Sequence, residues 1–428
     1  MNRCSFFSLA QLGFKKYMIH FDTFQLANGL KVAVHEDTTT SLAAVNIIYN
    51  VGSRDEVESK TGFAHLFEHL MFGGSKHITD FDVELQKAGG DNNAFTCPDY
   101  TSYYCTLPAA NLETAFWLES DRMLSLSFDP KVLETQRSVV IEEFKQMYLN
   151  QPYGDAMLLL RPLAYKKHPY LWPTIGKEIS HIEEATMNDV RAFFGKHYHP
   201  ANAVMVVGGN VKTAEVQRLA EKWFGGIAAK EVARKNIPQE EIQTENRLLE
   251  VERDVPTSSI YKSYAMPSRL SPDYHAVDLL SDILGRGSSS RLHQRLIKEK
   301  QAFGSLGSYI TGSLDPGLLI VSGKVSEGVS LEKGNQLIEE EVSNLLNESI
   351  TERELQKVKN QAESSLVFSK IELMDKVMEI AFGMLVGEPD LINKEMDRIQ
   401  EVNVDQVQKV AKEIFEYSST LLYQAKTK

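Results

Sequence analysis

The 428-residue chain carries 58 acidic against 46 basic residues, a net charge of −12, and 43% hydrophobic residues. Its length exceeds what one ordinary core holds, so two domains of about 200 residues each are expected. The acidic balance, with no basic run able to follow a phosphate backbone, excludes nucleic acid as a partner, and the lack of any run of about 18 apolar residues predicts no membrane span.

Residues 1–17 contain an apolar segment shorter than the core of an export signal and read as a loose N-terminal tail. Three cysteines, Cys4, Cys97 and Cys105, are too few for a disulfide framework, which points to a reducing, cytoplasmic location. The stretch "FQLANGLKVAV" then places Asn28-Gly29 between alternating runs and predicts a two-residue β-hairpin, with residues 42–49 continuing as a strand. At Gly62 the period changes. The spacing of Phe63, Leu66, Phe67, Leu70 and Met71 predicts an amphipathic helix across "TGFAHLFEHLMF". A second hairpin follows in "NAFTCPDYTSYYCTL", turning at Pro98-Asp99, and residues 109–124 and 130–149 read as helices.

Residues 226–245 lose periodicity and gain charge, Gly and Pro, which marks a linker between a first domain over 18–225 and a second over 246–428. The two sides share a pattern. "MNDVRAFFGKHYHPANAVMVV", a helix running into a strand, recurs as "VDQVQKVAKEIFEYSSTLLYQ", with Val190 against Val407 and Tyr198 against Phe415. The expected fold class is α+β: two duplicated domains, each an antiparallel-rich sheet packed against helices.

The chemistry concentrates in "HLFEH". On a helix His65 and His69 project from one face about 6 Å apart and can share a cation, with Glu68 beside them. Two imidazoles and a carboxylate suit zinc with one position left for water, and a second carboxylate near that water can take its proton, as peptide hydrolysis requires. The alternative is an ordinary helix with two histidines, and a third ligand decides between them. In "ETQRSVVIEEFKQMYL", Glu143 shares a stripe with Gln136, Val139, Val140 and Met147, whereas Glu142 shares Ser138, Lys145 and Gln146, so Glu143 is expected to point to the apolar interior. A carboxylate aimed inward needs a cation or a donor. Cys97 and Cys105 are taken as packing residues. His197 and His199 are taken as a surface pair or a cation at a helix C-terminus. "LGRGSSSRL" lacks the ending of a phosphate loop and reads as a helix start with serine caps.

Together, "HLFEH", "GGDNNAFTCPDYTSYY", "FWLESDRM", "QRSVVIEE", "HPYLWPTIG" and "LGRGSSSRLHQRLIKEK" resemble the pitrilysin/insulinase family of zinc metallopeptidases, over nearly the whole chain from about Met18. The resemblance implies one Zn2+ per chain held by His65, His69 and Glu143, with Glu68 as general base, in an endopeptidase acting on peptides or unfolded segments. It further implies that Asn93, Ala94 and Phe95 lie on an open strand edge to which an extended substrate adds as a β-strand; Asn93 also fits a simple turn role. A non-catalytic, peptidase-like scaffold or assembly subunit is the rival function, and it would have no need to keep the four site residues together.

Two departures from the family pattern stand out. Gln136 occupies a place where the metal-binding helix commonly carries a second glutamate, which removes a charge near the metal. In the second half, places that commonly hold a substrate-gripping arginine and tyrosine hold Lys298 and Ser305. The resemblance therefore implies a heterodimer with a zinc-less paralogous subunit that supplies the Arg/Tyr pair, with a homodimer as the other arrangement.

Overall fold

The computed structural model describes residues 18–232 and 236–426 of the chain. The tail assigned to residues 1–17, Cys4 within it, and residues 233–235 of the expected linker lie outside the described residues.

The first half begins with strands β1 (Asp22–Gln25), β2 (Lys31–Glu36) and β3 (Leu42–Tyr49). Gln25 pairs with Lys31 and Leu26 N donates to the Leu30 carbonyl at 2.9 Å, so the first hairpin turns through Ala27, Asn28 and Gly29 rather than through two residues. Asn28 is the reason. Its amide nitrogen is drawn away from the turn to donate to the Phe224 and Ile227 carbonyls, at 2.8 and 3.0 Å, while Leu26 and Leu30 are buried as anchors. Then come helices α1 (Phe63–Leu70) and α2 (Phe81–Lys87), and the hairpin of β4 (Asp91–Thr96) and β5 (Thr101–Pro108). In that hairpin Thr96 pairs with Thr101, so the chain turns through Pro98 and Asp99 as expected. Helices α3 (Leu112–Leu124) and α4 (Pro130–Phe144) follow, the latter ending in a π turn at Lys145–Leu149. Helices α5 (Ala156–Ala164), α6 (Ile179–Glu183) and α7 (Met187–His197), strand β6 (Ala203–Gly209) and helix α8 (Thr213–Phe224) complete this half.

The second half repeats the plan with β7 (Arg247–Arg253), β8 (Ser259–Met266) and α9 (Tyr274–Gly285). A π-helical segment, His293–Glu299, leads to β9 (Phe303–Ile310) and β10 (Gly317–Val325). Helices α10 (Leu331–Asn347), α11 (Glu352–Ser369), α12 (Leu373–Val386), α13 (Leu391–Glu401) and α14 (Val404–Ile414) precede the last strand, β11 (Ser419–Ala425). The sheets run β1-β2-β6-β3-β5-β4 and β7-β11-β8-β10-β9. From β2 and β7 onward their orders match strand for strand, each with one parallel pair (β2 with β6, β7 with β11) among antiparallel neighbours. Val190, Tyr198, Val407 and Phe415 are all buried at the matched helix-to-strand junctions.

Each sheet is covered on one face by helices of its own half and on the other by a helix from the opposite half. Ala33, Ala44, Ile48 and Val206 of the first sheet pack against Val377, Ile380 and Ala381 of α12. In return Leu318, Ile320 and Leu421 of the second sheet pack against Ala156 and Leu160 of α5. The approach at α12 is so close that a Cβ on Gly208 would fall 2.5 Å from Val377 Cγ2. Lys376 of α12 adds an ion pair of 3.0 Å to Asp37.

Two local expectations are corrected. His197 and His199 are buried rather than surface groups. The C-terminal carbonyl of α7 that a cation would have served accepts instead from Asn202 Nδ2 at 2.9 Å, and the His197 ring lies 4.7 Å from that of Phe193. In "LGRGSSSRL" the Ser290 hydroxyl donates to the Gly287 carbonyl at 2.8 Å, closing a turn before the helical segment instead of capping an N–H.

The Asp37–Lys376 pair gives a test of the contact between halves. The Thr39 hydroxyl, with Lys376, holds the Asp37 carboxyl down to about 2 from 3.8. Because the folded value is depressed, its contribution is complete above the unfolded pKa and is lost as the pH falls through the folded one. Asp37→Asn is expected to lower stability in urea unfolding by on the order of 1 kcal/mol at pH 7. The difference from wild type should narrow as the pH is taken from 4 toward 2; a pH-independent difference would assign the effect to packing.

Candidate metal centre

Helix α1 buries Phe63, Leu66, Phe67 and Leu70 against the first sheet, which leaves His65, Glu68 and His69 on its half-buried flank. Its start is fixed from three sides. Gly62 adopts φ +86°, and a Cβ there would fall 2.5 Å from the Ile175 carbonyl oxygen in the "WPTIG" loop, so the position requires glycine. The buried Glu56 carboxylate accepts from the Gly62 and Ala64 N–H groups at 2.9 and 2.8 Å. Farther along, the Tyr103 hydroxyl of β5 donates to the Phe67 carbonyl at 3.3 Å.

Helix α4 starts with Asp129, whose side chain accepts from Lys131 N, and Pro130 in the first turn. It buries Leu133, Val140 and Phe144. Glu143 stands beside that stripe and turns toward α1, whereas Glu142 is 71% exposed and pairs with Lys145 at 2.7 Å. The choice of Glu143 over Glu142 agrees with this geometry, but the reason differs from the expected one. Val139 and Met147 are exposed, so the face they share with Glu143 is open to solvent and not turned into the core.

His65, His69 and Glu143 offer ligand atoms that all lie within 4.8 Å of one another, the one such group among the described residues. Glu143 Oε2 is 3.7 Å from His65 Nε2 and 3.5 Å from His69 Nε2. A tetrahedral ion with bonds of about 2.0–2.2 Å needs ligands roughly 3.3–3.6 Å apart, so the donor set fits zinc with little movement. Protonation also fits. Burial lowers the His65 pKa to about 4, which keeps the imidazole neutral and its lone pair available at pH 7. The His69 imidazole beside it holds Glu143 below the usual glutamate value, so it is ionised.

Glu68 is set apart from this trio. Its Oε2 accepts from the Thr96 hydroxyl of β4 at 2.6 Å, and burial pushes its pKa up despite that bond. A carboxyl raised by desolvation next to three side chains at ligand spacing is suited to taking and returning a proton. Thr96 is a site residue that sequence reasoning missed; strand alternation from Ala94, which faces α1, was the available signal.

Strand β4 is the edge of its sheet, as expected for Asn93, Ala94 and Phe95, yet only Ala94 turns its side chain to the α1 face. Asn93 and Phe95 alternate to the opposite face, where the Phe95 ring meets Tyr100 and Tyr104. The Ala94 N–H donates to Asn93 Oδ1 at 2.8 Å, so the asparagine occupies its own strand's edge. No hydrogen bond joins Gln136 to the three ligands among the described residues. Cys97 Sγ accepts from the Asp99 and Tyr100 N–H groups at 3.4 Å inside the hairpin turn, and Cys105 is buried, so both cysteines serve the hairpin. Lys298 and Ser305 are exposed, the first on the π-helical segment and the second on edge strand β9. No helix among the described residues is long and apolar enough to cross a membrane.

Known proteins resemble this chain over both of its halves. Residues 31–170 match the family described as insulinase (peptidase family M16), and residues 184–362 match the peptidase M16 inactive domain. The chain is 31% identical to zinc protease PqqE of Helicobacter pylori over 358 residues, 82% of this chain and 80% of that protein. It is 26% identical to the probable mitochondrial-processing peptidase subunit beta of Schizosaccharomyces pombe over 412 residues, 92% of this chain and 88% of that one. The crystal structure of a protease from Helicobacter pylori aligns with a TM-score of 0.87 at 28% identity, covering 95% of this chain and 100% of that one.

The geometry separates the neighbouring glutamates. Glu143→Gln is expected to weaken zinc binding, measured by competition with a chromogenic chelator, by more than about tenfold. Glu142→Gln should leave it unchanged, and equal losses would assign the effect to α4 as a whole.

Proposed function

The chain belongs to the insulinase family of peptidases, M16, and on that premise we propose that it is a zinc-dependent endopeptidase acting on peptides or unfolded segments. The observation that carries this reading is the meeting of His65, His69 and Glu143 at ligand spacing, with a desolvated Glu68 on the same helix tied to an edge strand. Bound zinc would supply Lewis acidity toward a peptide carbonyl and acidify a water. The chain's residues do the rest. Glu68, raised by burial, accepts the proton of the attacking water and returns it to the leaving amine. Thr96 keeps one Glu68 oxygen engaged, which orients the other toward the cleft. The free edge of β4 can pair with an extended chain, and for this the Asn93 amide must swing off the Ala94 N–H; selection is then through the backbone, and compact folded proteins are poor substrates. The inactive-domain match falls on residues 184–362, outside all four of these residues, and a non-catalytic scaffold or assembly subunit stands as the alternative reading.

The second half lacks a substrate grip of its own. Lys298 carries one charge without a planar bidentate fork, and the Ser305 hydroxyl is too short to reach into the cleft from β9. A relative described as a subunit of mitochondrial-processing peptidase supports a paired arrangement. The proposed partner is a paralogous chain without the zinc motif that carries an arginine and a tyrosine at these places.

Two outcomes test this function. Glu68→Gln should retain zinc while its peptidase activity falls below about a hundredth of wild type, since the ligands remain and the base does not; activity above that level would remove Glu68 from its role. Mixing the purified chain with a zinc-less paralogue from the same source should raise peptide cleavage at least about tenfold. Full activity of the chain alone, as a homodimer by sedimentation, would falsify the heterodimer.

A further inference from the structure

The segment Gly52–Glu56 leaves β3 and leads to α1, and of its three charged side chains Arg54 and Glu56 have different attachments. Glu56 is buried, and its carboxylate accepts from Gly62 N and Ala64 N, the second being the residue before His65. Gly62 has no side chain with which to cap α1, so an acceptor brought from outside the helix satisfies these N–H groups and places a negative charge at the positive end of the helix. Two residues earlier, Arg54 Nη1 lies 3.1 Å from Asp99 Oδ1 in the β4–β5 turn and 2.8 Å from Asp315 Oδ2 in the β9–β10 turn of the second half. These carboxylates are themselves held. Tyr170 OH donates to Asp99 and accepts from Asp315 N at 3.1 Å, and His168 Nε2 is 3.2 Å from Asp315 Oδ2. The segment between Arg54 and Glu56 has little slack: Arg54 N donates to the Pro98 carbonyl at 2.9 Å, Trp172 Nε1 to the Ser53 carbonyl at 3.0 Å, and Gly52 N to Asp55 Oδ2 at 3.0 Å.

We propose that Glu56 is a positioning residue for the metal-binding helix, and that Asp315 of the second half acts on the same helix through Arg54. A metal site tolerates ligand displacements of only about 0.2 Å. A shift of the first turn of α1 moves His65 relative to Glu143, because Glu143 comes from a different helix. The second half thus contributes to the metal centre without supplying a ligand. This inference rests on the reading of His65, His69 and Glu143 as zinc ligands.

The test uses the full chain and two readouts besides activity: the zinc dissociation constant from chelator competition, and the visible absorption of the Co2+-substituted protein, which reports ligand geometry. Glu56→Gln leaves one acceptor and presents an N–H2 to the other helix N–H; it is expected to weaken zinc binding by about 10–100-fold and to change the cobalt spectrum. Asp315→Asn should weaken zinc binding about threefold to tenfold, and the double variant should be no weaker than Glu56→Gln alone, because both act along one link. Glu339→Gln, which removes the ion-pair partner of buried Lys262 in the second half, serves as a reference that lowers thermal stability without moving either readout. If Glu56→Gln does not fold, Glu56→Asp, which keeps the charge and withdraws it by one methylene, carries the same expectation. Unchanged zinc affinity and spectrum in the Glu56 variant, or fully additive losses in the double variant, would overturn the proposal while leaving the ligand assignment intact. Absence of zinc binding by wild type would overturn the ligand assignment and the proposal with it.

Discussion

Strand β3 is buried along seven of its eight residues and β6 along all seven, so the first sheet has two apolar faces to cover. The helices of one half cover only one of them. Leaving the other in water would expose the row formed by Ala33, Ala44, Ile48, Val204 and Val206, at a cost of about 25 cal/mol for each Å² of apolar surface. The exchange of α12 for α5 removes that cost on both sheets at once, and it makes each half a part of the other's core. The relative placement of the halves is therefore decided by packing at native density, where a glycine at position 208 is needed merely to let α12 approach.

From this arrangement follows the position of the two long hairpins. Their tips, at Asp99 and Asp315, meet around Arg54, and their outer strands, β4 and β9, are left as sheet edges. An edge strand with unpaired backbone groups is a hazard for aggregation unless it is short or in use. Strand β4 has six residues, carries Thr96 against Glu68, and has one N–H covered by Asn93 Oδ1. The free edge and the hydrogen-bond partner of Glu68 thus share a single element.

Within a few ångströms, three ionisable groups are driven in different directions by their surroundings. Burial keeps His65 neutral, the His69 imidazole keeps Glu143 charged, and desolvation raises Glu68. Two carboxyls of the same intrinsic acidity are thus shifted apart, Glu143 downward by the imidazole beside it and Glu68 upward by burial.

Much of this was legible in the linear sequence, because the relevant periodicities are local. The spacing of Phe63, Leu66, Phe67 and Leu70 specified a helix, and that helix placed His65, Glu68 and His69 together; the helix-to-strand pattern around Val190 and Val407 disclosed the duplication. Helical phasing also set Glu143 apart from Glu142, although Val139 and Met147 on its face proved exposed. Other features depend on residues far apart in the chain and carry no local period. Asn28 reaches Phe224 and lengthens a hairpin that its own sequence would have closed in two residues. Asn202 takes the capping place that the histidines seemed to fill, and His197 and His199 are buried as a result of the packing around it. Asn93 and Phe95 face away from α1 because their register against β5 was set by pairing, not by composition. The sequence by itself determined which side chains are chemically able to bind a metal and on which helices they lie, since helical geometry repeats every 3.6 residues whatever surrounds it. Only the tertiary structure decided that α5 and α12 change places, that Glu56 closes the start of α1 and that Asp315 reaches Arg54, because each of these is fixed by the burial of surfaces that come together only when both halves are folded.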